Sequence, residues 1–285
     1  MSYQFKRILI YSIQAKSVSV VRSMIDWLSA RSLDVCIYSK TAELMGINDV
    51  DQVTDANLKE VDLIMVIGGD GSMLSAANKA VQIDIPIFGI NTGKLGFLVD
   101  HHPDDLDEID SALKGNFFEE KRTLLSIKHG NMHATAMNEI IISPQEVGRI
   151  MALKLYLNDA LVCQYLADGL IIATPTGSTA HAMSAGGAII HPETKSFLVI
   201  PVCPHKLTSR PIVIPEKEKI TVEVETNKRI SPYLSCDGRS AEKIDDLQSI
   251  QIEALKKQIR LIHQKDYSFY ETLKRKLHWE RTLDA

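Results

Sequence analysis

The segment from 61 to 71, VDLIMVIGGDG, places a single carboxylate in a glycine-rich turn between an apolar strand and a helical pattern. Gly68, Gly69 and Gly71 have no side chains, so an anion can approach the backbone N–H groups, and the following helix N-terminus adds a partial positive charge. The turn therefore predicts a phosphate site. Asp70 would repel phosphate unless a divalent cation or a reacting hydroxyl lies between them. The alternative is a strand-to-helix turn with Asp70 as a helix cap.

Three further segments carry polar residues that could serve a nucleotide site. Asn138 and Glu139 begin an apolar strand and could read ribose hydroxyls or an adenine edge, although a polar pair at a strand end is as often structural. Residues 167–181, ADGLIIATPTGSTAH, contain a strand, a hydroxyl-rich turn and a helix start. A capped turn explains much of this segment but leaves Asp168 unexplained. Residues 203–215 are more typical of scaffold.

Two common nucleotide motifs are missing from the sequence. The first strand is followed by Ile13-Gln14-Ala15-Lys16 and not by G-x-G-x-x-G, and the chain contains no G-x-x-x-x-G-K-[ST] loop. A conventional dinucleotide fold is therefore not expected. The phosphate site must be built in another way.

Strand and helix patterns alternate over the first hundred residues, which predicts a parallel sheet with helices on both faces. We expect strands at 7–12, 35–38, 61–67 and 86–90 and helices at 18–31 and 72–81. Ligands bind at the carboxyl ends of parallel strands. Both the GGDG turn and the segment 91–97, NTGKLGF, follow such strand ends. The two glycine-rich turns are thus expected to form one crevice.

Beyond an acidic helical stretch at 103–114, short strand patterns follow each other closely and predict layered β-sheets. We expect these strands at 124–128, 137–142, 153–157, 170–173, 197–201, 220–225, 249–254 and 258–263, with helical segments at 178–188 and 268–279. The predicted fold class is an α/β N-terminal domain with a parallel sheet, residues 1–100, plus an all-β C-terminal domain of layered sheets, residues 101–265. The C-terminal helix, within 266–285, is expected to pack back on the first domain.

The composition of the chain limits the expected class of protein, its partners and its location. The 285 residues are 45% hydrophobic and 24% charged, with a net charge of −4, as in an ordinary globular protein. Without a basic stripe, duplex nucleic acid is not an expected partner. The four cysteines, with no C-x-x-C pair, fit reduced thiols and a cytoplasmic location. No apolar run reaches the roughly 18 residues of a membrane span, so no membrane partner is expected.

Taken in order, eight segments of the chain resemble the bacterial NAD kinases. They are GGDGSML at 68–74, GINTGKLGFL at 89–98, NE at 138–139, DGLIIATPTGSTA at 168–180, SAGGAIIHP at 184–192, CPHKLTSRPIVIP at 203–215, CDG at 236–238 and HQKDYSFYETLKRKLHW at 263–279. GGDG alone is shared with lipid kinases and phosphofructokinases. Its combination with the NE pair and the TPTGSTA block is a strong signature.

The resemblance implies a kinase that transfers the terminal phosphoryl group of ATP to the 2′-hydroxyl of the adenosine ribose of NAD, giving NADP and ADP. A divalent metal, Mg²⁺, would be carried with ATP. The family fold joins an α/β domain to a β-rich domain with the NAD site between them. Its members are commonly homodimers or homotetramers whose NAD pocket borrows residues from a neighbouring subunit.

The resemblance also implies site residues. The catalytic acidic residue falls on Asp70, and no residue is assigned as a resident metal ligand. NAD contacts fall on Asp70, Gly71, Asn138, Glu139, Arg149, Asp168, Thr179, Ala180, His181, Ser184 and Arg239. Phosphate contacts to ATP fall on Gly68, Gly69, Gly71 and Ser72.

Three residues depart from the common family pattern. His181 replaces a tyrosine and, unlike tyrosine, a histidine side chain changes charge near neutral pH. Leu166 stands where many bacterial members have a basic residue, and Arg239 where glutamine is frequent. Arg239 is expected either to face the diphosphate or the phosphate donor in compensation for Leu166, or to be solvated at the surface. The sequence leaves both open.

Two other functions fit part of the sequence. A kinase for a lipid or a sugar phosphate would share GGDG, but it leaves the NE and TPTGSTA blocks without a role, and no membrane-facing amphipathic stretch is evident. A silent nucleotide sensor would use the same pocket residues, and only the retained Asp70 favours an enzyme over it.

Overall fold

The structure, a computed structural model, describes residues 2–93, 96–146, 148–225, 231–239, 242–244 and 249–279. Contacts between residues divide the chain into two compact units. The first comprises Met1–Lys121 and Ile259–Ala285, and the second comprises Arg122–Gln258. The sequence pattern was divided at 100 and 265 instead.

The helices and strands follow one another with short connections. The strands are β1 (Arg7–Tyr11), β2 (Asp34–Tyr38), β3 (Asp51–Val53), β4 (Leu63–Ile67), β5 (Ile87–Ile90), β6 (Phe118–Arg122), β7 (Leu125–His129), β8 (Met132–Ala136), β9 (Glu139–Pro144), β10 (Met151–Leu157), β11 (Ala160–Ala167), β12 (Gly169–Ala173), β13 (Ser196–Val202), β14 (Ile212–Pro215), β15 (Ile220–Glu225), β16 (Pro232–Cys236), β17 (Glu242–Lys243), β18 (Ile250–Ala254) and β19 (Ile259–His263). The helices are α1 (Val18–Ser29), α2 (Ser39–Met45), α3 (Asp70–Ile83), α4 (Leu106–Leu113), α5 (His181–Ser184) and α6 (Phe269–Leu277).

The first unit is built on a seven-stranded sheet with the order β3-β2-β1-β4-β5-β19-β6. The pairings from β3 to β19 are parallel, as the alternating pattern predicted. All five residues of β4 are buried, as is typical of a central strand in a parallel sheet. Helix α1 buries Val21, Met24, Ile25 and Leu28 at helical spacing, and these pack in the same core as the strands.

One strand lies in a different sheet from the one expected. The sequence pattern predicts that this strand belongs to the layered sheets of the second domain, but β19 pairs parallel to β5, with Leu261 opposite Ile87. The reason is that a short buried apolar run indicates a strand without indicating its partner, which lies far away in the chain. Helix α6 follows β19 and belongs to the same unit. Of the predicted C-terminal segment, residues 280–285 lie outside the described residues.

The second unit consists of two antiparallel six-stranded sheets. Their orders are β11-β10-β15-β18-β7-β8 and β14-β13-β12-β9-β16-β17. Residues from both sheets share one apolar core, as the prediction of layered sheets required. Strand β10 shows the expected alternation, with Met151, Leu153 and Leu155 buried.

The second face of one of these sheets is also covered. Strand β12 is buried throughout, because Ile171 and Ala173 pack with Ala182 and Ile190 on the side away from the main core. The helix expected at 178–188 is shorter than predicted. A 3₁₀ turn at Thr176–Thr179 precedes α5, which spans His181–Ser184. Within the described part of the chain, no helix is long and apolar enough to cross a membrane.

Candidate active site

The glycine-rich turn of the first unit connects β4 to α3. The chain leaves β4 at Ile67, passes through Gly68 and Gly69, and enters α3 with Asp70 as its first residue. The N–H of Gly68 donates to the carbonyl of Ile90 at the end of β5, at 2.9 Å. The two strand ends are therefore adjacent, which confirms that both glycine-rich segments follow neighbouring parallel strands.

The carboxylate of Asp70 is held by the segment that follows β5. Its Oδ2 accepts the N–H of Phe97 at 2.9 Å, and its Oδ1 accepts the N–H of Leu98 at 3.0 Å. Gly96 is needed for this approach, because a Cβ at that position would overlap with Asp70 Oδ1. Each oxygen of an ionised carboxylate accepts about two hydrogen bonds. The side chain is thus fixed in direction and can still accept from a ligand.

The four residues predicted to contact phosphate differ in accessibility. Gly69 is half-buried and Gly71 is exposed, whereas Gly68 and Ser72 are buried. The N–H of Ser72 donates to the Gly69 carbonyl at 2.9 Å. The first N–H groups of a helix have no acceptor within the helix, so the exposed backbone at Gly71 is the part of the turn best suited to an anion.

In the second unit, the predicted NE pair lies at the start of β9 beside the turn that follows β12. Glu139 is 2% exposed. Its Oε1 lies 2.7 Å from His181 Nδ1, while its buried Oε2 has no hydrogen-bond partner among the described residues. Burial raises the pKa of Glu139, the hydrogen bond from His181 opposes that shift, and the charge of Asp237 adds to it. The NE pair therefore contains a buried acceptor, Glu139 Oε2, with no hydrogen-bond partner among the described residues.

Asp237 organises the NE pair and was not singled out by the sequence analysis. Its carboxylate accepts the N–H groups of Met137, Asn138 and Glu139 at 2.9, 2.8 and 3.2 Å. Burial raises the pKa of Asp237, and these three hydrogen bonds oppose the shift. The only sequence signal was the CDG segment itself, because backbone donors leave no residue-type pattern.

The turn after β12 is joined directly to the NE pair. Thr174 donates its N–H to the carbonyl of Asn138 at 2.9 Å. A Cβ on Gly177 would overlap with that same carbonyl, so glycine permits the close approach. The structure therefore brings together Asn138, Glu139 and His181, and the intervening turn carries the predicted residues Thr179 and Ala180.

The predicted NAD residues Asp168 and Arg149 lie elsewhere in the unit. Asp168 precedes β12 at the end opposite the NE pair, since Ala173 is the residue that pairs with Glu139. Five residues of strand separate them, or roughly 17 Å at about 3.3 Å per residue. Arg149 lies near Asp168, because Met151 pairs with Ala167. The sequence places Asp168 before β12, but it could not indicate that the NE pair lies beside the other end of this strand.

The remaining predicted contacts are Ser184 and Arg239. Ser184 is exposed and ends α5. Arg239 donates from Nη2 to the carbonyl of Thr135 at 2.8 Å, and Nη2 also lies 3.5 Å from Asp237 Oδ2. Its side chain is 46% exposed, so the guanidinium is partly solvated while it is held against its own unit.

Family models match both parts of the chain. Residues 8–116 match the ATP-NAD kinase N-terminal domain, and residues 137–264 match the ATP-NAD kinase C-terminal domain. Among curated relatives, the NAD kinase of Coxiella burnetii (strain RSA 493 / Nine Mile phase I) is 38% identical over 262 residues, covering 90% of this chain and 88% of the relative. The NAD kinase of Legionella pneumophila (strain Corby) is 33% identical over 290 residues, covering 98% of each.

Solved structures agree with this fold. An NAD kinase from Archaeoglobus fulgidus in complex with ATP has a TM-score of 0.76 and 25% identity, covering 95% of this chain and 98% of that one. Yeast NADH kinase complexed with NADH has a TM-score of 0.84 over 98% of this chain and 89% of that one; at 20% identity it supports the fold alone.

Proposed function

This chain belongs to the ATP–NAD kinase family, and we propose that it transfers the terminal phosphoryl group of ATP to the 2′-hydroxyl of the adenosine ribose of NAD, giving NADP and ADP. The observation that carries the site assignment is the Asp70 carboxylate, which two backbone N–H groups aim from a glycine-rich turn. A lipid or sugar phosphate kinase would not account for the NE pair, and a silent sensor would not need a carboxylate fixed in this way.

Asp70 acts on the acceptor hydroxyl. Phosphoryl transfer passes through a loose transition state, so positioning and electrostatics contribute more than strong-base chemistry. The carboxylate accepts the hydrogen bond of the 2′-hydroxyl, directs its oxygen at the phosphorus and collects the proton as the transfer proceeds. General-base help contributes about 10²- to 10⁴-fold, whereas alignment of two bound reactants contributes roughly 7 to 11 kcal/mol. Alignment is therefore the larger effect.

The second unit recognises NAD. The unpartnered Oε2 of Glu139 is a buried acceptor that a ribose hydroxyl or an adenine amino group would satisfy. Asn138 supplies both a donor and an acceptor beside it. His181, whose side chain is 63% exposed, is placed to stack on a base. Thr179, Ala180 and Ser184 complete this part of the proposed NAD site.

The phosphates of ATP are proposed to lie at the start of α3, against the backbone of Gly69 and Gly71. Mg²⁺ bound to nucleotides is held mainly by the phosphates with one or two carboxylates, and Asp70 is the carboxylate present here. The described residues contain no group of three or more His, Cys, Asp or Glu side chains that could hold a metal ion. A divalent ion that arrives with ATP would neutralise charge on the phosphates.

We also propose a homo-oligomer, a homodimer or homotetramer, in which Asp168 and Arg149 serve the NAD site of a neighbouring copy. The support is their separation from the NE pair and the apolar surface beside them. Leu161, Val162 and Leu166 of the edge strand β11 are 50%, 49% and 45% exposed, and exposed apolar edges of this kind mark interaction surfaces. A cytoplasmic location is proposed from the four free cysteines.

The test is the formation of NADP from NAD and Mg-ATP by purified protein carrying Asp70→Asn. Because the amide cannot accept the proton, kcat should fall by about two to four decades while the Kd for NAD stays close to that of the unmodified enzyme. Asp84→Asn, the same substitution at the other end of α3, is the matched control and should leave kcat unchanged. Unchanged turnover in Asp70→Asn, or phosphorylation of diacylglycerol or fructose 6-phosphate in preference to NAD, would refute the proposal.

A further inference from the structure

A buried cluster of titratable side chains lies in the first unit and has no role in the mechanism above. His263, the last residue of β19, has Nδ1 3.1 Å from Asp100 Oδ2 and Nε2 3.2 Å from Glu120 Oε2. The side chains of these three residues are 1%, 10% and 4% exposed, respectively. The cluster is therefore almost completely withdrawn from water.

The geometry favours a charged His263. Both ring nitrogens face carboxylate oxygens, and only the imidazolium form donates from both. Burial lowers the pKa of His263, but the hydrogen bonds to Asp100 and Glu120 outweigh burial and raise it. Burial likewise raises the pKa of Asp100, and the hydrogen bond from His263 outweighs it and lowers that pKa. The arrangement is a charge-assisted pair of hydrogen bonds to one cation.

Two aromatic side chains and one backbone group also lie beside the cluster. The ring of Tyr267 stacks on His263 with centroids 4.0 Å apart. His101 Nε2 lies 3.9 Å from Asp100 Oδ1, and burial lowers the pKa of His101 to about 4, so this second histidine is neutral at pH 7. The N–H of Gln264 donates to Asp100 Oδ2 at 3.4 Å. Asp100 and Glu120 are the charged groups that face the two ring nitrogens of His263.

Asp100 connects this cluster to the catalytic carboxylate. It lies in the segment 96–101, whose Phe97 and Leu98 donate to Asp70. One end of the segment is fixed by the N–H of Asn91, which donates to the carbonyl of His101 at 2.8 Å. Within the segment, the Asp100 carboxylate is held by His263, and the His101 ring stacks on Phe88 with centroids 4.2 Å apart. Loss of the imidazolium charge would remove the cation that both buried carboxylates face at His263, which is costly.

We propose that His263 is a positioning residue for phosphoryl transfer, because it fixes Asp100 and thereby the segment 96–101 that aims the Asp70 carboxylate. The inference rests on the proposed function, since it requires Asp70 to act on the acceptor hydroxyl. A displacement of about 1 Å at a reacting group can lower the rate about 100-fold. His263 thus contributes to turnover without touching NAD or ATP.

The experiment compares His263→Gln with the unmodified enzyme in assays of NADP formation from NAD and Mg-ATP. The variant should lower kcat about 10- to 100-fold and leave the KM for NAD and for ATP within about threefold, because neither ligand contacts the cluster. His102→Gln, which changes an exposed histidine two residues after Asp100, is the matched control and should retain full kcat. A rise in KM with unchanged kcat would overturn the inference.

Two further measurements separate positioning from a general loss of structure. In the Asp70→Asn background, His263→Gln should produce no additional loss of kcat, since both act through one group; a multiplied loss overturns the inference. If the imidazolium positions Asp100, kcat should fall at alkaline pH as His263 loses its proton. Glu120→Gln removes one carboxylate that stabilises the imidazolium, so this fall should move to lower pH, and the measurement can be made even if His263→Gln does not fold. An unmoved pH profile counts against the proposal.

The failure of this inference is distinguishable from the failure of the proposed function. If Asp70→Asn keeps the turnover of the unmodified enzyme, the catalytic assignment itself is wrong. If Asp70→Asn loses turnover while folded His263→Gln and Glu120→Gln both retain the kcat and the pH profile of the unmodified enzyme, only the role of His263 is wrong.

Discussion

At the scale of single residues, Glu139 of the proposed NAD site lowers the stability of the fold when it is charged. Its carboxyl group is 2% exposed and one oxygen has no partner among the described residues. Burial raises its pKa, so between the ordinary and the raised value the folded protein holds a proton that the unfolded chain releases. The free energy of unfolding therefore decreases as pH rises through that window, and above it the charged form costs stability.

Glu139→Gln should consequently stabilise the protein while weakening its function. At pH 8 the amide removes a buried charge and still accepts from His181, so Tm should rise by about 2–4 °C, whereas the Kd for NAD should rise about tenfold from the loss of a charged hydrogen-bond acceptor. Thermal unfolding and NAD titration measure both quantities. Glu253→Gln, on the exposed face of β18, should change neither. A lower Tm at pH 8 in Glu139→Gln would contradict this account.

At the scale of elements, the segment 96–101 is the part of the first unit that sets the direction of Asp70. Its donors are backbone groups, and a Cβ at Gly96 would overlap with the carboxylate. A small change in this segment is therefore expected to alter catalysis more than binding, because it moves the carboxylate proposed to align the acceptor hydroxyl.

Gly96→Ala tests this role of the segment. The added methyl group would overlap with Asp70 Oδ1, so either the carboxylate or the segment must shift, and kcat should fall about 100-fold. Gly93→Ala is the matched control, because a Cβ at Gly93 meets no atom within 4 Å, and kcat should be retained. Steady-state kinetics of the two variants decide the matter. Similar kcat values for both would show that the close approach at Gly96 has no bearing on turnover.

The sequence predicted the elements that depend on local pattern. The strand before the GGDG turn and the helix after it follow from an apolar run and from glycines beside a helical period. The proximity of the GGDG turn to the segment after β5 followed from the rule that ligands bind at the carboxyl ends of parallel strands. The sequence could not predict that β19 joins the parallel sheet, that Asp237 holds the NE pair, or that the NE pair lies beside the end of β12 opposite Asp168. Each of these depends on contacts between distant parts of the chain.

Residue types alone also left some elements unrecognised. Strand β11 exposes Leu161, Val162 and Leu166 at the edge of a sheet, so its side chains do not show the alternation of a half-buried strand. The helix after the TPTG turn was predicted too long, because small and apolar residues continue after Ser184 while the chain leaves the helix at Ala185.

At the scale of the whole molecule, the second unit carries two groups of predicted NAD residues that one strand holds apart. Glu139 lies at one end of β12 and Asp168 at the other. An oligomer in which the two ends belong to different copies would assemble complete sites only between chains. This arrangement differs from a monomeric site in how defective chains behave when they are mixed.

Mixing Glu139→Ala with Asp168→Ala should therefore restore activity that neither variant has alone. In a dimer with random exchange, half of the molecules are mixed and each has one complete site, so about one quarter of the unmodified activity is expected. The measurement is NADP formation after co-refolding of equal amounts of the two variants. A mixture of Glu139→Ala with Asn138→Ala is the control, because both changes affect the same half-site. No gain in the first mixture would place both residues in one chain's site.

Main-chain amides hold the carboxylates of both Asp70 and Asp237, and Asp237 also lies 3.5 Å from Arg239. Alanine scanning does not detect hydrogen bonds from backbone N–H groups, because every residue except proline keeps the amide hydrogen. The residue types at positions such as Phe97, Leu98 and Met137 can therefore change during evolution while their backbone N–H groups keep the hydrogen bonds to the carboxylates. Natural selection therefore preserves the backbone conformation that places these N–H groups, and not the side chains at their positions.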